Sequence, residues 1–284
     1  MNDDMKGISE KLDVLQREIT DLRKLVGPFG VPMPGDQILV QTIHGTKYLI
    51  DAHDLIMTPN MIIYRQWEAE LSQFTLSRIN RDTHFVDVGA NFGYFTCLAG
   101  SAIGTSGSGR VIAIEPNPKL ARLLRANCLI NWSMSPIDIH QVAMGDVEKL
   151  VQLWIPASKA ANASLTTLSG DAESIDVALR PLDAIIPPGF RVDLLKIDVE
   201  GHEAGVLRGA RRVISDSPDI TIIVEWSLSQ MVNAGITSSA MVMLLRDLGL
   251  KTYRVPAPGE DHYQIYPYEE LANTGYANII LRQA

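Results

Sequence analysis

The chain has 284 residues, of which 46% are hydrophobic and 20% are charged, as in ordinary soluble globular proteins. Lys and Arg number 25 against 33 Asp and Glu, and this net charge of −8 argues against general nucleic-acid binding. Two cysteines exclude a disulfide framework, and no apolar run resembles a signal peptide or a membrane span. We therefore expect a cytoplasmic protein without a transmembrane segment and without a nucleic-acid partner.

The first 27 residues carry a pattern that the rest of the chain lacks. Their apolar residues alternate spacings of three and four, which is typical of a coiled-coil seam. Charged and polar residues fill most positions between the seam residues Met5, Ile8, Leu12, Leu15, Ile19, Leu22 and Val26. A helix of three heptads is marginal alone, so the stripe needs a covering surface. We expect a homo-oligomer through residues 5–26, with packing of the stripe on the chain's own domain as the alternative.

Residues 28–59 predict a linker followed by a β-hairpin. Glycine and proline dominate the stretch GPFGVPMPGD at residues 27–36, which is typical of a linker. The β-prone segments QILVQTI and KYLID then flank His44-Gly45-Thr46, as in a hairpin. Apolar spacing from Trp67 to Ile79 predicts an amphipathic helix at the start of a third region, residues 60–284.

From His84 onward, apolar strands alternate with amphipathic helices. The predicted helices are NFGYFTCLAGSAIG, residues 117–131, EAGVLRGARRVI and SSAMVMLLRDLG. The predicted strands are HFVDVG, RVIAIE, IDIHQVA, KLVQLWI, VDLLKID, DITIIVEW, KTYRV and YANIILRQ. This alternation predicts an α/β fold with a doubly wound, mostly parallel sheet that ends in an antiparallel strand. Residues 156–175 and 227–240 are expected to contain loops whose side chains decide the choice of substrate.

The segment FVDVGANFGYFT predicts a strand, a glycine turn and a helix start. The two glycines of the turn, Gly89 and Gly93, do not have the G-x-G-x-x-G spacing of nicotinamide-binding proteins. Asp87 inside the strand suits a cationic ligand group, while the helix N-terminus suits a carboxylate. S-adenosylmethionine has this charge layout. At the end of the next strand, Glu115 is placed to accept the hydroxyls of a ribose. Alternatively, Asp87 holds the glycine loop and Glu115 caps the next helix.

The segment KIDVEGHE predicts a second polar centre. Lys196, Asp198 and Glu200 alternate and so share one strand face, at the edge where open α/β sheets bind ligands. His202 begins the following turn, and Glu225 ends the next strand. Alternatively, Lys196 forms an organising salt bridge and His202 is a surface helix cap. A divalent metal held by these acids is a further alternative, but no recognised metal motif is present and we expect none.

Five segments occur in the order FVDVGANFGYFT, VIAIEPNP, LLRAN, VAMGD and LLKIDVEGHEAGVLRGA. Together they resemble the FkbM family of S-adenosylmethionine-dependent methyltransferases, over about residues 60–284. The resemblance implies the class I methyltransferase fold, a Rossmann-like seven-stranded sheet whose last strand is antiparallel. It also implies methylation of a hydroxyl on a sugar, a polyketide or another secondary metabolite. The coiled-coil helix and the hairpin lie outside it.

The resemblance implies roles for individual residues. The methionine part of the cofactor would be bound by Asp87, Gly89, Asn91, Gly93 and Thr96. The ribose falls to Glu115 with Asn117 beside it, and the adenine to Val142, Ala143 and Asp146. Catalysis falls to Asp198, Glu200 and His202, of which Glu200 and His202 are the candidate bases. The acceptor side is assigned Glu68, Tyr94, Lys196 and Glu225, and a serine-containing loop at residues 162–165 lies over the site.

Three rival functions follow from the same residues. Amino methylation is disfavoured because no Asn/Asp-Pro-Pro-Tyr motif occurs. The glycine spacing disfavours a nicotinamide-dependent oxidoreductase. The intact acids at the sheet edge disfavour a non-catalytic coiled-coil scaffold. We therefore expect an O-methyltransferase that uses S-adenosylmethionine on a small-molecule or glycan acceptor, with a sugar hydroxyl preferred to a polyketide alcohol.

Overall fold

The computed structural model describes residues 11, 12, 14–19, 22, 30–156, 163–165, 172–260 and 262–283. The chain divides into two compact units, Met1–Trp67 and Glu68–Ala284. In the part of the chain that the model describes, no helix combines the length and the apolar character needed to cross a membrane.

The described seam residues of the first unit lie on a helix and face solvent. Leu12, Leu15, Ile19 and Leu22 have relative exposures of 58%, 52%, 50% and 59%, and residues 11, 12, 14–19 and 22 are helical. The other three seam residues lie outside the described residues. Self-association through this helix therefore stays a prediction.

A three-stranded antiparallel sheet follows in the first unit. Strands β2 (Gln37–Gln41) and β3 (Lys47–Asp51) form the predicted hairpin. The predicted linker is wrong at β1 (Gly30–Met33), which pairs antiparallel with β2. Proline is tolerated because β1 is an edge strand, so the Gly/Pro-rich composition concealed a strand. A helix, α1 (Met57–Ile63), completes the described part of this unit.

The second unit contains the predicted mostly parallel sheet. Its seven strands are β4 (His84–Val88), β5 (Arg110–Ile114), β6 (Ile137–His140), β10 (Leu194–Ile197), β11 (Thr221–Ser227), β12 (Leu250–Arg254) and β13 (Tyr276–Gln283). They lie in the order β12-β13-β11-β10-β4-β5-β6. Only β13 among these strands is antiparallel, to both of its neighbours. The carboxyl ends of β4, β5, β10 and β11 therefore meet at one edge, which confirms the predicted fold class.

A second, small sheet was not predicted. It contains β7 (Ala143–Met144), β8 (Lys149–Pro156) and β9 (Ala172–Arg180), in the order β7-β9-β8. The predicted strand IDIHQVA is therefore divided between two sheets, and KLVQLWI leaves the main sheet to pair with β9. Residues 172–175 of β9 lie where we expected loop, and so does the helix Leu228–Asn233. The alternation in β9 of buried Val177 and Leu179 with more exposed neighbours is the period-two signal of a half-buried strand.

Helices cover the main sheet. They are α2 (Ala69–Ser77), α3 (Tyr94–Ile103), α4 (Pro118–Ile130), α5 (Leu182–Ile185), α6 (Glu203–Arg208), α7 (Arg211–Asp216), α8 (Leu228–Asn233), α9 (Ser238–Asp247) and α10 (Tyr268–Leu271). The predicted helix EAGVLRGARRVI is in fact α6 and α7. Gly209 lies between the two helices. A Cβ added there would lie 1.9 Å from the carbonyl oxygen of Gly145, so the backbone of Gly209 packs closely against that of Gly145 where the helix is interrupted. The core between the layers includes Leu195, Ile222 and Trp226, all fully buried.

Candidate functional site

The loop after β4 is a tight turn in which two positions, Gly89 and Gly93, leave no room for a side chain. Gly89 has φ +83°, and a Cβ there would lie 1.8 Å from the backbone oxygen of Asp198. Gly93 has φ +94°, and its Cβ would lie 2.4 Å from Leu124. Between them, Asn91 adopts φ 56° and accepts a hydrogen bond from the backbone N–H of Phe92 through Oδ1 at 2.8 Å. The loop therefore leads from the strand into α3 with its backbone close to β10.

Asp87 is a buried acid with one free oxygen. Its side chain lies in β4, is 1% exposed, and accepts a 2.6 Å hydrogen bond from Thr96 Oγ1 through Oδ2. Oδ1 is buried and has no hydrogen-bond partner among the described residues. Burial raises the pKa of Asp87, against the opposing effects of Lys196 and Thr96. A cationic group such as an ammonium would satisfy this oxygen.

Glu115 follows β5 and binds two backbone N–H groups. Oε2 accepts from Asn91 at 2.8 Å, and Oε1 accepts from Asn117 at 2.8 Å. Asn117 caps α4 by accepting from the backbone N–H of Lys119 at 3.0 Å. Burial raises the pKa of Glu115 to about 7, against these two backbone hydrogen bonds. The contacts confirm that Glu115 organises the loop and the helix start. A ribose role stays a prediction, since each oxygen keeps a lone pair for a hydroxyl.

The residues predicted at the adenine lie at the junction of the two sheets of this unit. Ala143 is buried in β7, and Val142 before it packs against the main core. Asp146 lies beyond β7, with one carboxylate oxygen 3.9 Å from an Arg208 nitrogen. Asp146 therefore has an ionic partner already, and its predicted contact with an adenine stays untested.

Lys196 is a buried cation between acids. It is 3% exposed, and Nζ lies 2.7 Å from Asp198 Oδ2 and 4.8 Å from the centre of the Phe95 ring. Burial alone would lower the pKa of Lys196, but the carboxylates of Asp198, Asp87 and Glu68 together raise it. The ion pair expected as an alternative for Lys196 is thus present. The Asp198 side chain is 31% exposed and remains accessible.

Glu200 occupies a strained position beside Asp198. It has φ 52°, and its Oε2 accepts a 2.5 Å hydrogen bond from Gln230 Nε2. Burial, with Asp198 and Glu203 adding to it, raises the pKa of Glu200 to about 7. Ser164 of the predicted serine-containing loop donates from Oγ to the backbone oxygen of Glu200 at 3.2 Å.

Glu203 was missed by the sequence interpretation. Its Oε1 accepts from the backbone N–H groups of Val199 at 3.2 Å and Gly201 at 3.1 Å. It therefore holds the turn that presents Glu200, and burial raises its pKa to about 7. The available signal was an acid in the first turn of the helix after a glycine.

Two further acids have one unpartnered oxygen each. Glu225 Oε1 accepts from the Tyr276 hydroxyl at 2.9 Å, and Glu68 Oε1 accepts from Asn278 Nδ2 at 3.2 Å. The Oε2 atoms of both glutamates are buried and have no hydrogen-bond partner in the described parts of the chain. Burial raises the pKa of Glu68, and burial with Asp198 and Glu200 raises that of Glu225 to about 8. Tyr276 and Asn278 come from β13, far along the chain, and no sequence signal marked them.

His202 and Tyr94 have contacts elsewhere. The His202 ring lies against Gly205 of its own helix, where an added Cβ would be 2.5 Å from Nε2. Burial lowers the pKa of His202, and the charged groups that act on it are Asp146, Arg208 and Lys149. The Tyr94 hydroxyl lies 3.0 Å from Ser72 Oγ in a buried contact.

The site thus contains a buried acid and a glycine turn at β4, an acid at β5, and a group of acids around one lysine at β10 and β11. Within the described part of the chain, no group of three or more His, Cys, Asp or Glu side chains has the placement to hold a metal ion. The free Asp87 oxygen and the Gly89–Gly93 turn fit a ligand with a cationic group and a carboxylate, which S-adenosylmethionine carries.

Comparison with solved structures gives distant similarities. The TYW2 protein of P. horikoshii, in complex with MeSAdo, is 12% identical, over 87% of this chain and 70% of that chain, with a TM-score of 0.47. A SAM-dependent O-methyltransferase from Thermotoga maritima is 14% identical, over 87% and 77%, with a TM-score of 0.44. A precorrin-6y C5,15-methyltransferase from Geobacter metallireducens is 16% identical, over 75% and 87%, with a TM-score of 0.41.

Two comparisons by sequence were made, and one of them identifies the family of the chain. No curated protein matches the chain. The family model of the methyltransferase FkbM domain matches residues 87–251, which include the glycine turn, Glu115 and the acids at β10 and β11. Because this match covers more than half of the chain, the chain belongs to the FkbM family of S-adenosylmethionine-dependent methyltransferases.

Proposed function

We propose that this enzyme transfers the methyl group of S-adenosylmethionine to a hydroxyl of a sugar in a glycan, a glycolipid or a glycosylated natural product. The observation that carries the proposal is the group of acids at the carboxyl ends of β10 and β11. The Asp198 side chain is partly exposed there, and Glu225 has a buried Oε2 without a hydrogen-bond partner among the described residues. Carboxylates accept hydrogen bonds from hydroxyls, so this edge suits an acceptor with several of them.

The cofactor would lie along the β4–β5 side of the site. Asp87 Oδ1 would receive the ammonium, the N-terminus of α3 the carboxylate, and Glu115 the ribose hydroxyls. When bound, S-adenosylmethionine supplies an electrophilic methyl group on a sulfonium centre whose leaving group is a neutral thioether. The protein's main contribution is then to align the acceptor oxygen with that carbon and to exclude water.

The acceptor would lie against Asp198, Glu200 and Glu225. An apolar polyketide alcohol fits this edge less well, because the partly exposed Asp198 carboxylate would have to lose water without gaining hydrogen bonds. A sugar supplies several hydroxyl donors for the same oxygens. Asn278 and Tyr276 hold Glu68 and Glu225 in place and would thereby set the shape of the acceptor subsite.

Glu200 is the better of the two candidate bases. Its pKa of about 7 allows it to take the hydroxyl proton as the new C–O bond forms. His202 lies against Gly205 with its Nε2 buried, and the charged groups around it belong to β8, α6 and the β7–β8 turn. Asp198 would orient the acceptor hydroxyl, since Lys196 holds it in place through the 2.7 Å ion pair.

The test is methyl transfer from methyl-labelled S-adenosylmethionine to a panel of oligosaccharides and polyketide alcohols, with and without EDTA. We expect labelled sugar, activity that resists EDTA, and loss of transfer in Glu200→Gln with cofactor binding retained. The matched control is Glu173→Gln, which changes an exposed acid of β9. Labelling confined to the polyketide alcohols would overturn the sugar assignment, and activity lost in EDTA would overturn the metal-free mechanism.

A further inference from the structure

Two arginines meet at one tyrosine ring at the opposite end of α2 from Glu68, and a lysine lies on the neighbouring strand. Arg78 caps the carboxyl end of α2, and its Cζ lies 5.1 Å from the centre of the Tyr263 ring. Arg282 of β13 places its Cζ 4.9 Å from the same ring. Lys251 of β12 is the direct cross-strand partner of Arg282, so the two side chains project from the same face of the sheet.

Aromatic rings fix the two guanidinium groups. Arg78 also lies 5.3 Å from the centre of the Phe74 ring, and Phe74 meets Tyr263 edge-on at 6.4 Å. Tyr253 packs against Tyr263 at 5.5 Å from the same sheet face. Stacking of this kind orients guanidinium groups but leaves their N–H donors for another partner.

The described residues supply no counter-ion to these three cations. No carboxylate among the described residues lies within ion-pair distance of Arg78, Lys251 or Arg282, and Arg78 Nε is buried without a hydrogen-bond partner. Carboxylates do lie within 4.0 Å of Arg81, Arg110, Arg180, Arg208, Arg211, Arg212, Arg246 and Arg254. Arg122, Arg125 and Arg191 also have no carboxylate within 4.0 Å in the described part of the chain, so what sets this group apart is its shared tyrosine ring and its cross-strand pair.

Physical chemistry favours an anion at this position. Like charges directly opposite each other across two strands destabilise a sheet, and a buried guanidinium nitrogen without a partner costs free energy. The negative end of the α2 dipole accounts for one cation at Arg78, but it does not account for the cross-strand pair. A bound anion removes both penalties.

We propose that Arg78, Lys251 and Arg282 form a binding site for a phosphate-type oxyanion, separate from the methyl-transfer site. A guanidinium fork matches two oxygens of a phosphate, and a dianion balances more than one cation, whereas a carboxylate balances only one. The proposal does not depend on the acceptor of the methyl group. The phosphate is either free or part of a phosphorylated molecule.

The test is a phosphorus NMR titration of the full chain with inorganic phosphate at low ionic strength. We expect saturable binding that weakens about tenfold in Arg78→Met and in Arg282→Met. The exposed Lys251→Met, which does not disturb packing, should weaken binding about threefold. The matched control is Arg254→Met: Arg254 also stacks on a tyrosine, Tyr266, but has Glu270 as its ionic partner, and affinity should be unchanged.

The same titration with glucose 1-phosphate identifies the source of the phosphate. Tighter binding than inorganic phosphate, lost in the same variants, assigns the site to a phosphate ester, and equal binding assigns it to free phosphate. Acetate that competes as well as phosphate would overturn the phosphate assignment. Absence of saturable binding, or equal affinity in wild type, Lys251→Met and Arg282→Met, would overturn the site itself.

Discussion

The acids at the β4–β5 edge and the acids at the β10–β11 edge are held in different ways. Glu115 accepts two hydrogen bonds from backbone N–H groups, and Asp87 accepts one from Thr96 on the adjoining helix. At the other edge, Glu200 and Glu225 are held by the side chains of Gln230 and Tyr276. Backbone partners are fixed by the fold, whereas side-chain partners change with single substitutions.

The two edges also differ in how far apart along the chain their residues lie. The β4–β5 edge is built from the glycine turn and the starts of α3 and α4, which all lie within residues 87–119. The β10–β11 edge draws on α8 and β13, which lie far apart along the chain. We infer that the β4–β5 edge binds the cofactor and that the β10–β11 edge determines which acceptor is bound.

The largest effect is expected from Gly89→Ala. The new Cβ would lie 1.8 Å from the Asp198 backbone oxygen at φ +83°, so both edges would be displaced. We expect a loss of about 3 kcal/mol or more in unfolding free energy, measured by urea denaturation, together with loss of cofactor binding. Gly189→Ala is the control, because Gly189 has φ +77° with nothing within 4 Å, and it should cost only about 1 kcal/mol.

Asp87→Ala tests the β4–β5 edge alone. We expect S-adenosylmethionine affinity, measured by calorimetry, to fall about 100-fold or more, because the ammonium loses a buried charge-assisted partner. Asp138→Ala changes an exposed acid on β6 and should leave affinity unchanged. Equal affinity in wild type and Asp87→Ala would remove the proposed role.

Glu200→Gln tests the β10–β11 edge alone. We expect methyl transfer to slow about 100-fold while cofactor affinity stays unchanged, since the variant removes a base and keeps the shape. In the wild type the rate should rise with pH through about 7, as Glu200 loses its proton, and then level off. His202→Ala should retain most activity, and a larger loss there than in Glu200→Gln would reassign the base.

The buried acids of the β10–β11 edge also predict a pH dependence of stability. The pKa of Glu225 rises from 4.5 to about 8 in the folded chain, so the native state binds more protons than the unfolded state between these values. Stability therefore falls as pH rises through this window. Glu225→Gln removes the penalty, and we expect its unfolding free energy relative to wild type to be about 3 kcal/mol more favourable at pH 8 than at pH 5. Thermal unfolding at both pH values measures this, and an equal difference at both would contradict it.

The smallest effect on the site is expected from Leu15→Glu combined with Ile19→Glu. Both residues are exposed on the helix of the first unit, so stability of the second unit should not change. If the seam pairs with a second copy, the native mass measured by light scattering should fall to that of a monomer, with cofactor affinity unchanged. An unchanged oligomeric mass would remove the coiled-coil proposal.

Local signals predicted the β4–β5 edge from the sequence. The strand–glycine–helix order, the Asn117-Pro118 cap and the position of Asp87 are all short-range features, and the structure places them as expected. The sheet order followed from strand and helix alternation. Glu115 also holds the glycine loop by accepting hydrogen bonds from the backbone N–H groups of Asn91 and Asn117. The sequence did not predict the bond to Asn91, because every residue but proline has a backbone N–H.

The β10–β11 edge was only partly predictable. Asp198 and Glu200 were predicted from their alternation with Lys196, and Glu225 from its place at the end of a strand. Tyr276, which holds Glu225, comes from a strand 51 residues further along the chain. The β9 strand was missed because residues 172–175 were expected to be loop and residues 176–180 were assigned no element, although Val177 and Leu179 alternate as a half-buried strand does. The two-helix break at Gly209 reflects contact with Gly145, which no local rule detects.

Calorimetric titration of the intact protein tests whether the β4–β5 edge binds S-adenosylmethionine. We expect saturable binding of S-adenosylmethionine and S-adenosylhomocysteine, no binding of NAD⁺, and no effect of EDTA. Binding of NAD⁺ without binding of either sulfur ligand would contradict this expectation and return the nicotinamide-dependent alternative. Binding of none of the three would contradict it equally and favour the scaffold alternative.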